Sequence, residues 1–123
     1  MAAPNIVNVT SIFGKTVGAE LTTSTTTSLL ANAASSNKLL KVNSIIVANK
    51  DGTNTATTTI SWYDGSNDRF LASTVDVPAD STLVVLGKDA PIYLEEGQSI
   101  RGGASANSDL DVVISYEELD DAW

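Results

Sequence analysis

Residues 110–117 read Leu-Asp-Val-Val-Ile-Ser-Tyr-Glu. Apart from Val113, the apolar side chains fall at every second position, which is the repeat of a β-strand with one buried face. Residues 57–63 show the same alternation, with Ile60 and Trp62 on the apolar side. Residues 41–49 are apolar on both faces, which suits a central strand covered on both sides or one at a subunit contact. The chain is therefore expected to consist of strands.

Turn sequences divide the chain into short segments. Asp51-Gly52, Gly102-Gly103 and similar pairs recur about every 8 to 14 residues, the spacing of a sandwich or barrel. We predict an all-β fold, a single antiparallel β-sandwich or jelly-roll-like domain over residues 1–123, with an N-terminal arm at 1–16 and an acidic C-terminal tail at 117–123. The eight or nine short strands are expected at 5–13, 19–28, 39–49, 55–63, 69–77, 82–87, 91–94, 98–103 and 109–118.

Three segments leave alternatives open. Residues 29–36 are rich in Ala and Leu and are interpreted as a loop with room for one turn of helix. Residues 21–28 are rich in Thr and polar on both faces, so they form a solvent-exposed edge strand or loop, or a strand that pairs with a neighbouring subunit. Residues 117–123 either fray as an acidic tail or anchor Leu119 and Trp123 in a neighbouring subunit.

Charge and composition exclude several functions. The 123 residues include 7 Lys and Arg against 15 Asp and Glu, a formal net charge of −8, with no His and no Cys. Thiolate or imidazole metal sites, Cys or His catalytic dyads and disulfides are thereby excluded. An acidic surface repels a phosphate backbone, so we expect no nucleic-acid partner. The apolar runs are too short to cross a membrane and the N-terminus lacks signal-peptide features, so neither a membrane nor a secretion route is expected.

Two short patterns imitate ligand sites without meeting their requirements. Gly14-Lys15-Thr16 ends like a phosphate-binding loop, but Val9 stands where that loop needs a glycine. Residues 64–68 carry oxygen ligands at the spacing of a calcium loop, but Arg69 replaces the glycine of that motif. We therefore predict no catalytic residues, no cofactor, no metal site and no enzyme activity.

Four segments of the sequence resemble a known family. They are NIVNVTSIFGKT at 5–16, KVNSIIVAN at 41–49, IYLEEGQSIRGGASA at 92–106 and VVISYEEL at 112–119. These segments resemble those of small virion structural proteins of tailed phages, particularly phages of marine cyanobacteria. The resemblance covers most of the chain and implies a particle component made in the cytoplasm of the bacterial host, with no catalytic residues to transfer.

An acidic β domain suits the outside of a DNA-filled shell better than its inside. The leading hypothesis is a capsid decoration or cement protein located in the virion, whose partners are the major capsid protein or other virion proteins, and which forms a homo-oligomer in the particle. The alternatives are a tail, neck or baseplate component, or a host-glycan-binding module on a tail fibre that uses Tyr63 and the loop 64–68. The candidate subunit contacts are Ile6, Val7, Phe13, Leu21, Tyr63, Tyr93, Leu119 and Trp123.

Overall fold

Nine β-strands in two antiparallel sheets form the part of the chain that the structure, a computed structural model, describes: residues 4–120. A short 3₁₀-helix at Ile6–Asn8 precedes them. The strands are β1 (Ser11–Glu20), β2 (Ser28–Ala31), β3 (Lys38–Asn49), β4 (Ala56–Tyr63), β5 (Asp68–Val77), β6 (Thr82–Leu86), β7 (Ile92–Leu94), β8 (Ser99–Ala104) and β9 (Leu110–Asp120). The predicted all-β sandwich is confirmed.

The order of the strands is that of a jelly roll. The first sheet has the order β1-β9-β3-β6, with β7 also pairing with β3, and the second sheet has the order β2-β8-β4-β5. The pairs β1 with β9, β2 with β8, β3 with β6 and β4 with β5 are nested, so the chain wraps around itself as two Greek keys do. The short β7 is an addition to this eight-strand pattern.

The core lies between the inner faces of the two sheets. Alternate residues of β3 and β9 supply the first sheet's half, and Ile60 and Ile100 belong to the second sheet's half. The largest fully buried side chains are Leu21, Leu39, Val42, Ile45, Val47, Ile60, Val77, Leu94, Ile100, Leu110, Val112 and Ile114. Burial of apolar area at about 25 cal/mol per Å² is the main force that holds the sheets together.

A β-bulge in β3 decides which of its residues face the core. The register of β3 on β9 shifts between Val42 and Ser44. Val42 faces the core before the shift and Ile45 faces it after the shift, whereas Ile46 lies on the outer face. Unbroken alternation over residues 41–49 predicts Val42 on the same face as Ile46 and Ala48, and the bulge makes that assignment of Val42 wrong. One extra residue in a strand reverses the inward side for all residues that follow.

The first two strands differ from the expected positions. Residues 5–10 hold the 3₁₀-helix instead of a strand, and β1 begins at Ser11 and continues to Glu20. Ser28–Ala31 forms β2 on β8, where a loop had been expected, because its Leu30 fills a place in the core. The other seven strands lie within about two residues of the predicted ranges.

The Thr-rich segment 21–27 is a loop that closes over β8. The amide of Ala104 donates to the Thr22 carbonyl oxygen at 2.8 Å, and the amide of Gly102 donates to the Thr27 carbonyl oxygen at 3.0 Å. A Cβ at Gly103 would lie 2.8 Å from the Thr22 carbonyl oxygen, so only glycine permits this approach. The loop's backbone thus finds partners within the chain, which corresponds to the exposed-loop alternative.

Two buried asparagines join the sheets at opposite ends of the sandwich. Asn49, at the end of β3, donates through Nδ2 to the carbonyl oxygens of Val77 and Asn54, each at 2.9 Å. Asn32, after β2, donates to the carbonyl oxygens of Lys38 and Leu94 at 2.8 and 2.9 Å. Each amide satisfies buried backbone acceptors that would otherwise lose water without compensation.

Replacing Asn49 tests this role. Asn49→Leu keeps the volume but leaves the buried Val77 carbonyl without its donor, so we expect the free energy of unfolding to fall by about 2–3 kcal/mol. Asn67→Ala, at an exposed turn, is the control and is expected to change stability by less than about 0.5 kcal/mol. Urea denaturation followed by circular dichroism measures both, and equal losses for the two variants would contradict the structural role of Asn49.

Replacing Gly103 tests the close approach of the loop. Gly103→Ala is expected to lower the free energy of unfolding by about 1–3 kcal/mol, because the backbone of the loop must move away from the new methyl group. Gly14→Ala is the matched control, since a Cβ there meets nothing within 4 Å. Thermal and urea denaturation measure both variants. A Gly103→Ala protein as stable as the Gly14→Ala protein would show that the loop does not lie as described.

Candidate functional site

Four of the predicted contact residues are exposed on the surface. Ile6 and Val7 lie in the 3₁₀-helix, and Val7 is 91% exposed. Asn5 caps this helix, because its Oδ1 accepts a hydrogen bond from the Val7 amide at 3.0 Å. Phe13 on β1 is 50% exposed, and Tyr93 on β7 is also exposed. An apolar side chain in such a position contacts water unless a partner covers it.

Ile6 and Tyr93 come together at a groove on the outer face of the first sheet. Pro4, Leu39 and Glu95 complete its lining, and its volume is about 250 Å³. Leu39 points away from the core because it precedes the β3 bulge, and it is nevertheless buried. Pockets that hold drug-sized ligands measure about 300–1,000 Å³. The groove therefore has room for one or two side chains but not for a drug-sized ligand.

Leu21 and Leu119 are buried within the chain. Leu21 follows β1 directly and is 1% exposed in the core, although its polar neighbours had suggested a strand edge. Leu119 pairs with Ile12 on one side and with Leu39 on the other, and it is also buried. Both expectations of an exposed contact are therefore corrected. Residues 117–120 form the paired end of β9, and Trp123 lies outside the described residues.

Tyr63 and the loop after it form contacts within the chain. The guanidinium carbon of Arg101 lies 3.6 Å from the centroid of the Tyr63 ring, and the Tyr63 hydroxyl donates to the Gly65 carbonyl oxygen at 3.1 Å. The Asp64 carboxylate accepts hydrogen bonds from the amides of Ser66 and Asn67, which lowers the pKa of Asp64. One face of the Tyr63 ring and Asp64 Oδ1, both of which a sugar would use, thus already have partners within the chain.

A second apolar feature was not found from the sequence. In the register of the first sheet, Gly18 pairs with Val113, Val113 with Ile46, and Ile46 with Val84. These residues form a row across four strands on the outer face, and Val84 is 61% exposed. We call this set the valine row. Val113, the exception to the alternation of β9, was its only visible signal, because the other members come from distant parts of the chain.

Ion pairs near the N-terminal end of β1 join β1 and β3 to β9. Lys38 Nζ lies 2.8 Å from Asp120 Oδ1 and 3.2 Å from Glu118 Oε2, and Lys15 Nζ lies 3.2 Å from the same Glu118 oxygen. The Ser11 hydroxyl donates to Asp120 Oδ2 at 2.8 Å. The hydrogen bonds from Lys38 and Ser11 lower the pKa of Asp120, and the two carboxylates raise the pKa of Lys38.

A second set of ion pairs holds the other end of β1. Lys50 Nζ lies 2.5 Å from Glu20 Oε2 and 3.1 Å from Asp111 Oδ1. The Ser108 hydroxyl also donates to Glu20 at 3.2 Å. Hydrogen bonds from Lys50 and Ser108 lower the pKa of Glu20, and its carboxylate, with that of Asp111, raises the pKa of Lys50.

The side chains of residues 4–120 form neither a metal-binding cluster nor a membrane-spanning helix. No group of three or more His, Cys, Asp or Glu side chains in that range is arranged to hold a metal ion. Within the same range, no helix has the length and apolar character needed to span a membrane.

Comparison with protein-family models, with curated proteins and with solved structures found no significant match.

The ion pairs at the ends of β1 predict an effect of pH on stability. The folded pKa values of Asp120 and Glu20 lie below their ordinary values of 3.8 and 4.5, so their contribution is complete above those values and is lost as the pH falls through the folded ones. We expect the urea midpoint to decrease below about pH 4. Asp120→Asn should flatten part of this decrease, whereas the control Asn67→Ala, which removes no titratable group, should leave it unchanged. Parallel pH profiles for wild type and Asp120→Asn would contradict the prediction.

Proposed function

We propose that this chain is a non-enzymatic structural protein of a tailed-phage virion, namely a decoration or cement protein that bridges major capsid subunits on the outside of the shell. The proposal starts from the resemblance of residues 5–16, 41–49, 92–106 and 112–119 to small phage virion proteins. In the structure, β3 contains the segment 41–49 and β9 contains the segment 112–119. These two strands pair with each other in the middle of the first sheet.

The outer face of the first sheet is the observation that carries the proposal. The groove at Ile6 and Tyr93 and the valine row lie on this one face, with the ion pair of Lys41 and Glu117 between them. A face with two apolar areas on paired strands offers a rigid surface for another protein. Each contact is modest, but identical contacts repeated over a particle add up to substantial stabilisation of the shell.

The distribution of charge supports the outside of the shell. Carboxylates are within 4.0 Å of six of the seven Lys and Arg side chains: Lys15, Lys38, Lys41, Lys50, Arg69 and Arg101. Cations that are already paired within the chain displace few counterions from DNA, and the net charge of −8 repels phosphates. A position facing the packed genome would therefore be unfavourable, whereas a position on the outer surface avoids that repulsion.

Substitutions on the outer face test the docking surface. Val84→Asp introduces a charge into the valine row and is expected to weaken binding to particles that lack this protein by about tenfold or more, because the charge must be desolvated on docking. Phe70→Asp is the matched control, since Phe70 is equally exposed but lies on the second sheet. Co-sedimentation with the particles measures binding. Normal binding of Val84→Asp with loss of binding for Phe70→Asp would refute the proposed face.

Cryo-electron microscopy of the intact particle tests the location. Density for this chain over the icosahedral lattice supports decoration, whereas density confined to the tail, neck or baseplate refutes it in favour of those assignments. Heating particles with and without the protein tests the cement role. Earlier release of DNA from the depleted particles is expected. Unchanged release would contradict the cement role but not the decoration role.

A further inference from the structure

β1 forms an open edge of the first sheet within residues 4–120, and this edge differs from the others. It is ten residues long, pairs only with β9, and keeps one register from Ser11 to Glu20. The edge strand β2 has four residues, and β6 has five. The edge strand β5 is irregular, with two register shifts and a positive φ of 52° at Thr74. Short length and irregularity are the usual protections of an edge against pairing, and β1 has neither.

The register shows which backbone groups of β1 are available. Leu21 donates its amide to the Leu110 carbonyl oxygen at 2.8 Å, in the same register as β1 on β9. Alternate residues of an antiparallel strand bond to the same neighbour. The odd-numbered residues of β1 therefore bond to β9, and the even-numbered residues direct their N–H and C=O groups to the open edge. These residues are Ile12, Gly14, Thr16, Gly18 and Glu20.

We propose that β1 pairs antiparallel with β1 of a second copy of this chain, about a two-fold axis at Thr16, so that the two first sheets form one continuous sheet. This inference does not depend on where in a particle the chain lies. With the axis at Thr16, Gly14 lies opposite Gly18 of the second copy, and Ile12 lies opposite Glu20. The pairing forms about ten backbone hydrogen bonds.

The side chains of β1 favour this register. They also favour a second copy of the chain as the partner of this open edge. Phe13, half exposed in one chain, lies opposite the exposed Ala19 of the second copy and diagonal to its Val17, so both rings gain apolar contacts. Moving the axis to Lys15 would place two lysines opposite each other, and moving it to Val17 would leave Ile12 beyond the paired region. Thr16 at the axis avoids both costs.

Charge also favours self-pairing at this edge. The chain as a whole carries −8, but β1 contains one Lys and one Glu, and each is paired within its own chain to Glu118 or Lys50. Two copies that approach through β1 therefore bring together a locally neutral strand of an otherwise acidic protein. Charge repulsion is smaller here than at a surface of unpaired carboxylates.

A cross-linking experiment tests the position of the axis. The sequence contains no cysteine, so Thr16→Cys introduces a single thiol that meets its counterpart at the axis, with Cα atoms about 5.5 Å apart. Ser73→Cys, on the exposed edge of β5, is the matched control. Under mild oxidation we expect Thr16→Cys to form a covalent dimer at least about tenfold faster than the control. Equal rates would overturn the proposal.

Sedimentation velocity over a concentration series tests the pairing without a cross-link. The full chain is expected to form dimers by about 100 μM. Thr16→Lys places like charges opposite each other and should raise the dimer dissociation constant about tenfold or more, whereas Thr16→Val keeps a β-branched neutral side chain and should dimerise as wild type does. Circular dichroism verifies that each variant is folded. A wild type that stays monomeric at about 100 μM, or a dimer that Thr16→Lys leaves intact, overturns the proposal.

Discussion

The pairing of β9 with β3 is the constraint on which the other features depend. Eleven residues of β9 run between β1 and β3, and their alternation assigns Val112 and Ile114 to the core and Val113 to the outer face. The same strand carries the carboxylates of Glu118 and Asp120, which hold the beginning of β1 through Lys15 and Ser11 and the beginning of β3 through Lys38. One strand therefore builds the core, the candidate docking face and the support of the open edge.

Strands with a buried apolar face were predictable from the sequence, whereas the exposed β1 and the short β2 were not. β4 and β9 have one buried face and one partly buried face, so their hydrophobic alternation is visible in the sequence. β1 is exposed on nearly all of its length and contains Gly14 and Gly18, so no alternation marks it. β2 has only four residues, of which Leu30 enters the core, and a run so short resembles the start of a helix.

The candidate site was harder to predict because it depends on register. Ile46, Val84 and Val113 become neighbours only when β3, β6 and β9 pair as they do, and the β3 bulge decides that Ile46 faces outward. When the strand register is not known, these three residues are only separate apolar positions in the sequence. Ile6 and Val7 were expected as contacts of the N-terminal arm and are exposed, but they lie in a 3₁₀-helix and not in the strand expected at 5–13.

Some carboxylates form ion pairs with lysines within the chain, and others do not. Asp51, Asp80 and Asp109 lie in loops at one end of the sandwich, and none of the ion pairs among residues 4–120 involves them. The outer face and β1 hold carboxylates that are largely matched by lysines. Like charges at the end of one copy repel those of another, so contacts between the ends are disfavoured. The repulsion is weaker at the neutral faces and edges, so the charge distribution disfavours contacts through the ends more than contacts through those surfaces.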